Sequence, residues 1–340
     1  MRALRFFAPG RVAVTEVPDP EPGPGEVVLR VHAVGLCNSD VRVFLGEKRA
    51  QPGVIPGHEF TGEVVAAGPG ARTPLGAVVA VCPIVACGWC GFCRDGYRNR
   101  CSRRRTLGYD LDGGCAEFVR IPRELEAGGH LLPVDPSLPA ERRAMVEPLA
   151  CVLASLEALG VAAGEGLAVV GGGPMGLLHV VAARAMGAGP ILVVEPDAER
   201  REAALELGAD VACAPQEAFE RGMGLTSGEG FPAVAVAVGL AEAAPQALRL
   251  ARKMGRVNLF AGFPPGTTLS LDANQLHYDE LRLVGTQNAP LRLYARAAAM
   301  LPRLPALDRV VTHRFPLDRA DEAYAARLER RGLKGAVVMV

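Results

Sequence analysis

Lysine is nearly missing from this chain, which carries only Lys48, Lys253 and Lys334 against 34 arginines. That bias fits a GC-rich genome or a heat-adapted one and is diagnostic of neither. Net charge is missing too. Lys plus Arg equals Asp plus Glu at 37 each, so no global field favours a phosphate backbone and no nucleic-acid partner is expected. Apolar runs such as LAVVGGG and FPAVAVAVGL are broken by glycine or proline. They fall far short of the ~20 residues of a membrane helix, so no membrane partner is expected either. The opening MRALRFFAPG has no apolar signal core, and the expectation is a soluble, cytoplasmic protein with reduced thiols. There is no low-complexity linker. The 40 glycines and 27 prolines are scattered between apolar runs in a chain that is 49% hydrophobic, which excludes disorder. At 340 residues the chain exceeds what one core organises, and two domains are the natural reading.

Among what is present, Cys87, Cys90, Cys93 and Cys101 form the run C-x2-C-x2-C-x7-C. Two-residue gaps let neighbouring thiolates turn onto one tetrahedral centre, and the loop to Cys101 supplies the fourth corner, so residues 86–102 read as a structural zinc lobe. Disulfides would need an oxidising compartment. A ferredoxin-like cluster would place the fourth cysteine three residues on and follow it with proline, whereas Ser102 follows here. The nearby Arg94, Arg98, Arg100, Arg103, Arg104 and Arg105 allow a nucleic-acid ribbon, but the neutral overall charge argues against one.

The chain changes character near residue 150. Before it, GEVVLRVHAVG, TGEVVAAG and GAVVAV read as short strands of a barrel-like β domain. After it, strands and helices alternate: GLAVVGGG, then a helical MGLLHVVAARAMG, the strand ILVVEPD, the helix AERREAALELGAD, and again FPAVAVAV, a helical AEAAPQALRLARKMG and RVNLFAG. Such alternation predicts an α/β half with a doubly wound parallel sheet.

In that half, Gly171, Gly173 and Gly176 make a G-x-G-x-x-G turn, enclosing Pro174 and Met175, where a strand hands over to a helix. The glycines permit the tight turn, the approach of a pyrophosphate and close helix packing. Glu195 closes the next strand, where a carboxylate accepts hydrogen bonds from an adenosine ribose and repels a 2'-phosphate. NAD is therefore expected over NADP, with Arg200 and Arg201 leaving a case for the phosphorylated form. His179 on the following helix reads as packed.

In the β half, GLCNSD and PGHEF place Cys37, Ser39, His58 and Glu59 close in sequence, a combination that points to a second metal. Together with the four-cysteine lobe, the nucleotide turn and the later MVEPLAC, these motifs resemble the zinc-containing medium-chain alcohol and polyol dehydrogenases over essentially the whole chain. The sorbitol and threonine dehydrogenase branch is the more similar, because Glu147 stands where ordinary alcohol dehydrogenases carry a cysteine ligand.

That resemblance implies a GroES-like catalytic domain over 1–150 and 286–340 and a Rossmann NAD-binding domain over 151–285. It implies two zinc ions per chain. Cys37 and His58 would hold the catalytic one, with Glu59 and Glu147 completing the shell directly, through water or in turn. Ser39 would relay the alcohol proton, and Asp40 would buttress the ligands. Arg42 stands where the family often has histidine, and since arginine does not titrate near neutrality, the relay would exit through water or Arg42 would pair with the cofactor pyrophosphate. Cys151, His32, His277 and His313 read as structural. The implied activity is oxidation of a secondary alcohol, polyol or sugar-like, by NAD. A threonine-type or aldose substrate is the alternative, and a non-catalytic nucleotide-binding redox sensor or regulator is the alternative from another class. A homotetramer or homodimer is implied.

Overall fold

In the computed structural model, which describes residues 1–339, the chain packs as two units. One comprises Met1–Ala150 with the chain from Ala289 onward, the other Cys151–Asn288. The first boundary falls inside the helix Val146–Ala158.

The second unit is a six-stranded sheet in which every pairing is parallel. Its strands, Leu167–Val170, Ile191–Val194, Val211–Cys213, Phe231–Val236, Ala251–Leu259 and Arg282–Gly285, lie in the order 3-2-1-4-5-6 when numbered along the chain. Leu167–Val170 and Ile191–Val194 are buried at every position. A parallel strand joined by crossover helices has no solvent face, which is why these segments are continuously apolar instead of alternating.

The first of these strands ends at Gly171, whose φ of +107° suits glycine alone, and the helix Pro174–Ala185 starts directly after it. A Cβ on Gly176 would lie 1.8 Å from the Gly171 carbonyl oxygen, so only glycine lets the first helical turn seat against the strand end. Farther along, the helix expected over 241–255 is shorter. It spans Ala243–Leu250, and the chain from Ala251 is already strand, with Ala251 registered against Phe231, a bulge before Arg256, and Met254 at positive φ donating its N–H to Asp279. The apolar period continues past residue 250, but sheet pairing takes over the backbone.

A polar chain crosses this unit's core. Asn258 donates to Ser155, whose hydroxyl bonds His179 Nε2 at 2.8 Å, and His179 Nδ1 donates to the Met175 carbonyl at 2.7 Å. The imidazole is neutral, since burial pushes its pKa down to about 4.

The first unit contains a seven-stranded, mostly antiparallel sheet whose middle is Val27–Gly35. Glu59–Ala67 pairs with one side of this strand and Lys334–Val338 with the other, so a segment from the end of the chain lies beside one from its beginning. Leu29, Val31, Phe60, Val79, Ile121 and Leu125 are among the buried side chains beneath it. The hairpin Arg2–Ala8 with Arg11–Glu16 completes the unit's β structure together with a short pair, Ile84–Val85 and Arg105–Thr106.

Between the usual histidine pKa and about 4, an unfolded chain binds a proton at His179 that the folded chain refuses, so stability falls as pH drops through that window. The loss amounts to about 3 kcal/mol by pH 4. His179→Gln should therefore show a shallower decline in urea-unfolding free energy between pH 6.5 and 4 than the unsubstituted protein; an identical slope would contradict the assignment.

Candidate active site

Strand register assembles the first cluster. Gly35 ends the middle strand opposite Glu59 on one side and Ala336 on the other, so Cys37 emerges just beyond it, His58 sits just before the neighbouring strand, and Lys334 begins the third. Ligand atoms of Cys37, His58 and Glu59 lie within 4.8 Å of one another. Glu59 is fully buried, and its Oε2 pairs with Lys334 Nζ at 2.5 Å while Lys334 also donates to the Leu36 carbonyl. A Cβ on Gly35 would stand 2.3 Å from Glu59 Oε2, so glycine here makes the room for that ion pair. Burial opposes the charge on Lys334, but Glu59 outweighs it and holds its pKa above the ordinary lysine value.

Asp40, on the helix Asn38–Phe44, accepts the Cys37 N–H at 2.9 Å and faces His58 Nδ1 at 3.3 Å. Burial opposes protonation of His58, yet Asp40 and Cys37 hold its pKa well above the ordinary imidazole range. Ser39 Oγ bonds the Tyr109 hydroxyl at 2.6 Å, and that hydroxyl bonds His58 Nδ1 at 2.9 Å. Burial, with Asp40 and Cys37 nearby, raises the Tyr109 pKa, so the phenol stays protonated.

Glu147 does not join the mutual group of three. It is buried, with the Tyr294 hydroxyl 3.5 Å from Oε1. Arg42 pairs with Glu47 at 3.2 Å. Sequence reasoning missed Tyr109 and Lys334. Tyr109 lies in no motif, and its only signal is that tyrosine occurs five times in the chain; Lys334 could have been found by asking why so arginine-rich a chain keeps a lysine there.

The second cluster is the cysteine lobe. The four sulfurs lie within 4.8 Å of one another, with Cys90 to Cys93 at 3.4 Å, Cys87 to Cys93 at 3.9 Å and Cys90 to Cys101 at 3.9 Å. None is in a disulfide. A tetrahedron with zinc–sulfur bonds of ~2.3 Å has edges of ~3.8 Å, so the donors match that ion. N–H groups of Cys87 and Arg103 aim at Cys101 Sγ, and that of Cys90 at Cys87 Sγ, each at 3.3–3.4 Å. Backbone donors from Ser102 and Cys93 bring the Cys90 thiol down to about 6, whereas burial and then Cys90 push Cys93 up to about 12. Backbone donors lower the Cys87 thiol as well, so within this coupled set Cys87 and Cys90 ionise more readily than ordinary thiols and Cys93 less.

At the glycine turn, Glu195 is buried and its Oε2 accepts the Gly172 N–H at 2.6 Å, while Oε1 accepts that of Asp197 at 3.1 Å. Gly173 caps the helix with no side chain bonding its N-terminus, and a Cβ there would meet nothing. Pro174 and Met175 form the first helical residues. Arg201 donates to the carbonyls of Glu195 and Pro196, and the Arg200 N–H is capped by Asp197. His179 is packed as expected, His277 lies at the end of the helix Ala273–Tyr278, and His313 bonds Thr312. His32 is half-buried on the middle strand.

Residues 23–127 match the alcohol dehydrogenase GroES-like domain, and residues 174–301 the zinc-binding dehydrogenase domain. The chain is 32% identical to an L-threonine 3-dehydrogenase of Pyrococcus horikoshii over 100% of its own length and 98% of the relative's. It is 31% identical to a D-altritol 5-dehydrogenase of Agrobacterium fabrum, covering 93% of each chain. A zinc-binding dehydrogenase from Sinorhizobium meliloti, solved with NADP, superposes with a TM-score of 0.92 at 32% identity, covering 99% of this chain and 98% of that one. The chain belongs to the zinc-containing medium-chain dehydrogenases, with a GroES-like domain and a Rossmann-type domain. It is a zinc-dependent alcohol oxidoreductase of that family, using a nicotinamide cofactor and small-molecule alcohol substrates.

Replacing Tyr109 by phenylalanine keeps the ring and deletes the hydroxyl shared by Ser39 and His58. The metal-loaded protein should lose about 1–2 kcal/mol of stability, read as a lowered urea midpoint, with an unchanged midpoint counting against the bonded chain.

Proposed function

We propose that this enzyme oxidises a secondary alcohol within a polyol or sugar-like molecule, with hydride transfer to NAD. The observation that carries this reading is the convergence of Cys37, His58 and Glu59 within 4.8 Å, beside the hydroxyl chain Ser39–Tyr109. Cys37 and His58 are assigned as catalytic zinc ligands. Glu59 Oε1 is buried without a hydrogen-bond partner, the condition of a donor that fits a cation, and Glu147 is assigned to complete the shell directly or through water. Bound there, a zinc ion supplies Lewis acidity that lowers the pKa of an alcohol into the neutral range.

The chain's own residues orient and hold protons around that chemistry. Asp40 Oδ1 faces His58 Nδ1 at 3.3 Å, and the Tyr109 hydroxyl bonds the same nitrogen at 2.9 Å, so the two together hold the orientation of the ring. Ser39 is placed to take the proton released from the alcohol, with Tyr109 holding its hydroxyl in position. Arg42, held by Glu47, is assigned to the cofactor pyrophosphate, with the relay's exit through water as the other route. Cys87, Cys90, Cys93 and Cys101 are assigned to a second, structural zinc, giving two per chain. Gly171, Gly173, Pro174, Met175, Gly176 and Glu195 are assigned to the cofactor, with Arg200 at its ribose edge. The buried Glu195 carboxylate, fixed by two backbone donors, supports NAD over NADP. The GroES-like domain is assigned residues 1–150 and 286–340 and the nucleotide domain 151–285.

A threonine-type substrate is the second reading, supported by the 32% identity to the Pyrococcus horikoshii enzyme. Nine unbridged cysteines support a cytoplasmic location, and the exposed edge strand Arg282–Gly285 supports a homodimer or homotetramer. No helix among the described residues is long and apolar enough to cross a membrane.

Initial-rate NAD reduction across polyols, L-threonine, aldoses and simple secondary alcohols tests the activity. Turnover should appear on one class, vanish with a chelator and return with zinc; chelator-resistant turnover would remove the metal from the reaction. Elemental analysis should give two zincs per chain, falling to one in Cys93→Ser and to one in Cys37→Ser. Glu195→Ala should shift the ratio of kcat/KM for NAD over NADP downward by at least tenfold, because the carboxylate no longer repels a 2'-phosphate.

A further inference from the structure

Two of the chain's three lysines stand at this site. Lys334 is consumed by Glu59. Lys48 is not: its Nζ lies 3.5 Å from the centroid of the Tyr109 ring, on the face of the residue whose hydroxyl bonds both Ser39 and His58. The loop carrying it is pinned, since the N–H groups of Glu47 and Lys48 bond the Arg42 carbonyl and that of Gln51 bonds the Tyr109 carbonyl. The residue remains accessible to solvent.

The charge of Lys48 has no ion-pair partner among the described residues. Asp40 faces His58 and Glu59 holds Lys334, while Cys37, Asp40 and Glu147 act on Lys48 through space without reaching ion-pair distance. Neighbouring cations are engaged as well, Arg42 with Glu47 and Arg104 with the Asn99 carbonyl. What remains is one ammonium with free donors, held on an aromatic face and separated by half the ring from the Tyr109 hydroxyl that bonds Ser39. A ring face attracts a cation but accepts no hydrogen bond of the strength a carboxylate offers.

We propose that Lys48 is a specificity-determining residue that binds a substrate carboxylate, so that the alcohol oxidised here is a hydroxy acid, with the carboxylate a few carbons from the reacting hydroxyl. Aldonic acids and β-hydroxy amino acids share that chemistry, and the former keep the polyol character already assigned to the site. The inference rests on the alcohol-oxidising reading and narrows it.

Matched pairs differing in the carboxylate provide the test: gluconate against sorbitol, 3-hydroxybutyrate against 2-butanol, and L-threonine against 1-amino-2-propanol. The intact zinc-loaded enzyme should favour the acid in at least one pair. Lys48→Met should lower kcat/KM for that acid roughly ten- to a hundredfold more than for its neutral partner, mainly through KM, as loss of a charge-assisted hydrogen bond predicts. Lys48→Arg should restore part of the preference, and Lys253→Met, on an exposed strand position of the other unit, should leave the ratio unchanged. Equal losses on both members of the pair would mean that Lys48 acts only by holding the Tyr109 ring, and would overturn the proposal, as would no change. If the enzyme oxidises neutral alcohols and ignores every acid, the proposal fails while the alcohol-oxidising reading stands. If a preparation with both zincs and bound NAD oxidises no member of any pair, both fail.

Discussion

Burying several acidic groups around one point is the constraint on which the first unit depends. Cys37, Asp40 and Glu59 converge beside His58, and Asp40 and Glu59 are almost completely withdrawn from water. Unpaired carboxylates in such surroundings cost several kcal/mol each. The structure meets this with matched partners, His58 for Asp40 and Lys334 for Glu59, and with a glycine at position 35 that leaves space for the second pair. Because Lys334 arrives on a strand from the far end of the chain, the sheet register between Val27–Gly35, Glu59–Ala67 and Lys334–Val338 is an electrostatic requirement as much as a packing one. Slipping either strand by one residue would turn a charge to the wrong face.

The two cysteine-bearing clusters solve different problems. The lobe gathers its four sulfurs from a single short stretch, uses its own backbone N–H groups to steady them, and needs little from the rest of the molecule. The Cys37 cluster draws on a helix N-terminus, a strand start, the loop holding Tyr109 and the C-terminal strand. A site built that way is positioned by the sheet. Threonine and altritol dehydrogenases match this chain over nearly its whole length, so the fold by itself does not select the substrate, and Lys48, outside the motifs, is the position proposed to do so.

Much of this was legible beforehand. The lobe, the glycine turn and Glu195 are local patterns readable from residue type and spacing; the four sulfurs converge, and the turn joins a strand end to a helix start. The helix expected over 241–255 shows the limit, since residues from Ala251 obey the sheet although their apolar spacing continues the helical pattern. Glu147 lies outside the mutual group of three donors, and its assignment to the shell rests on its place in the chain.

What the sequence alone determined, then, is whatever rests on neighbours in the chain: the four converging thiols, the glycine turn from strand to helix, the alternation that makes a parallel sheet. Only the tertiary structure decided that Lys334 neutralises Glu59, that Tyr109 links Ser39 to His58, and that Lys48 lies on the Tyr109 ring with no ion pair among the described residues. Those contacts join residues tens to hundreds of positions apart, and no period or spacing records them because they are fixed by strand register and burial, which exist only once the chain has folded.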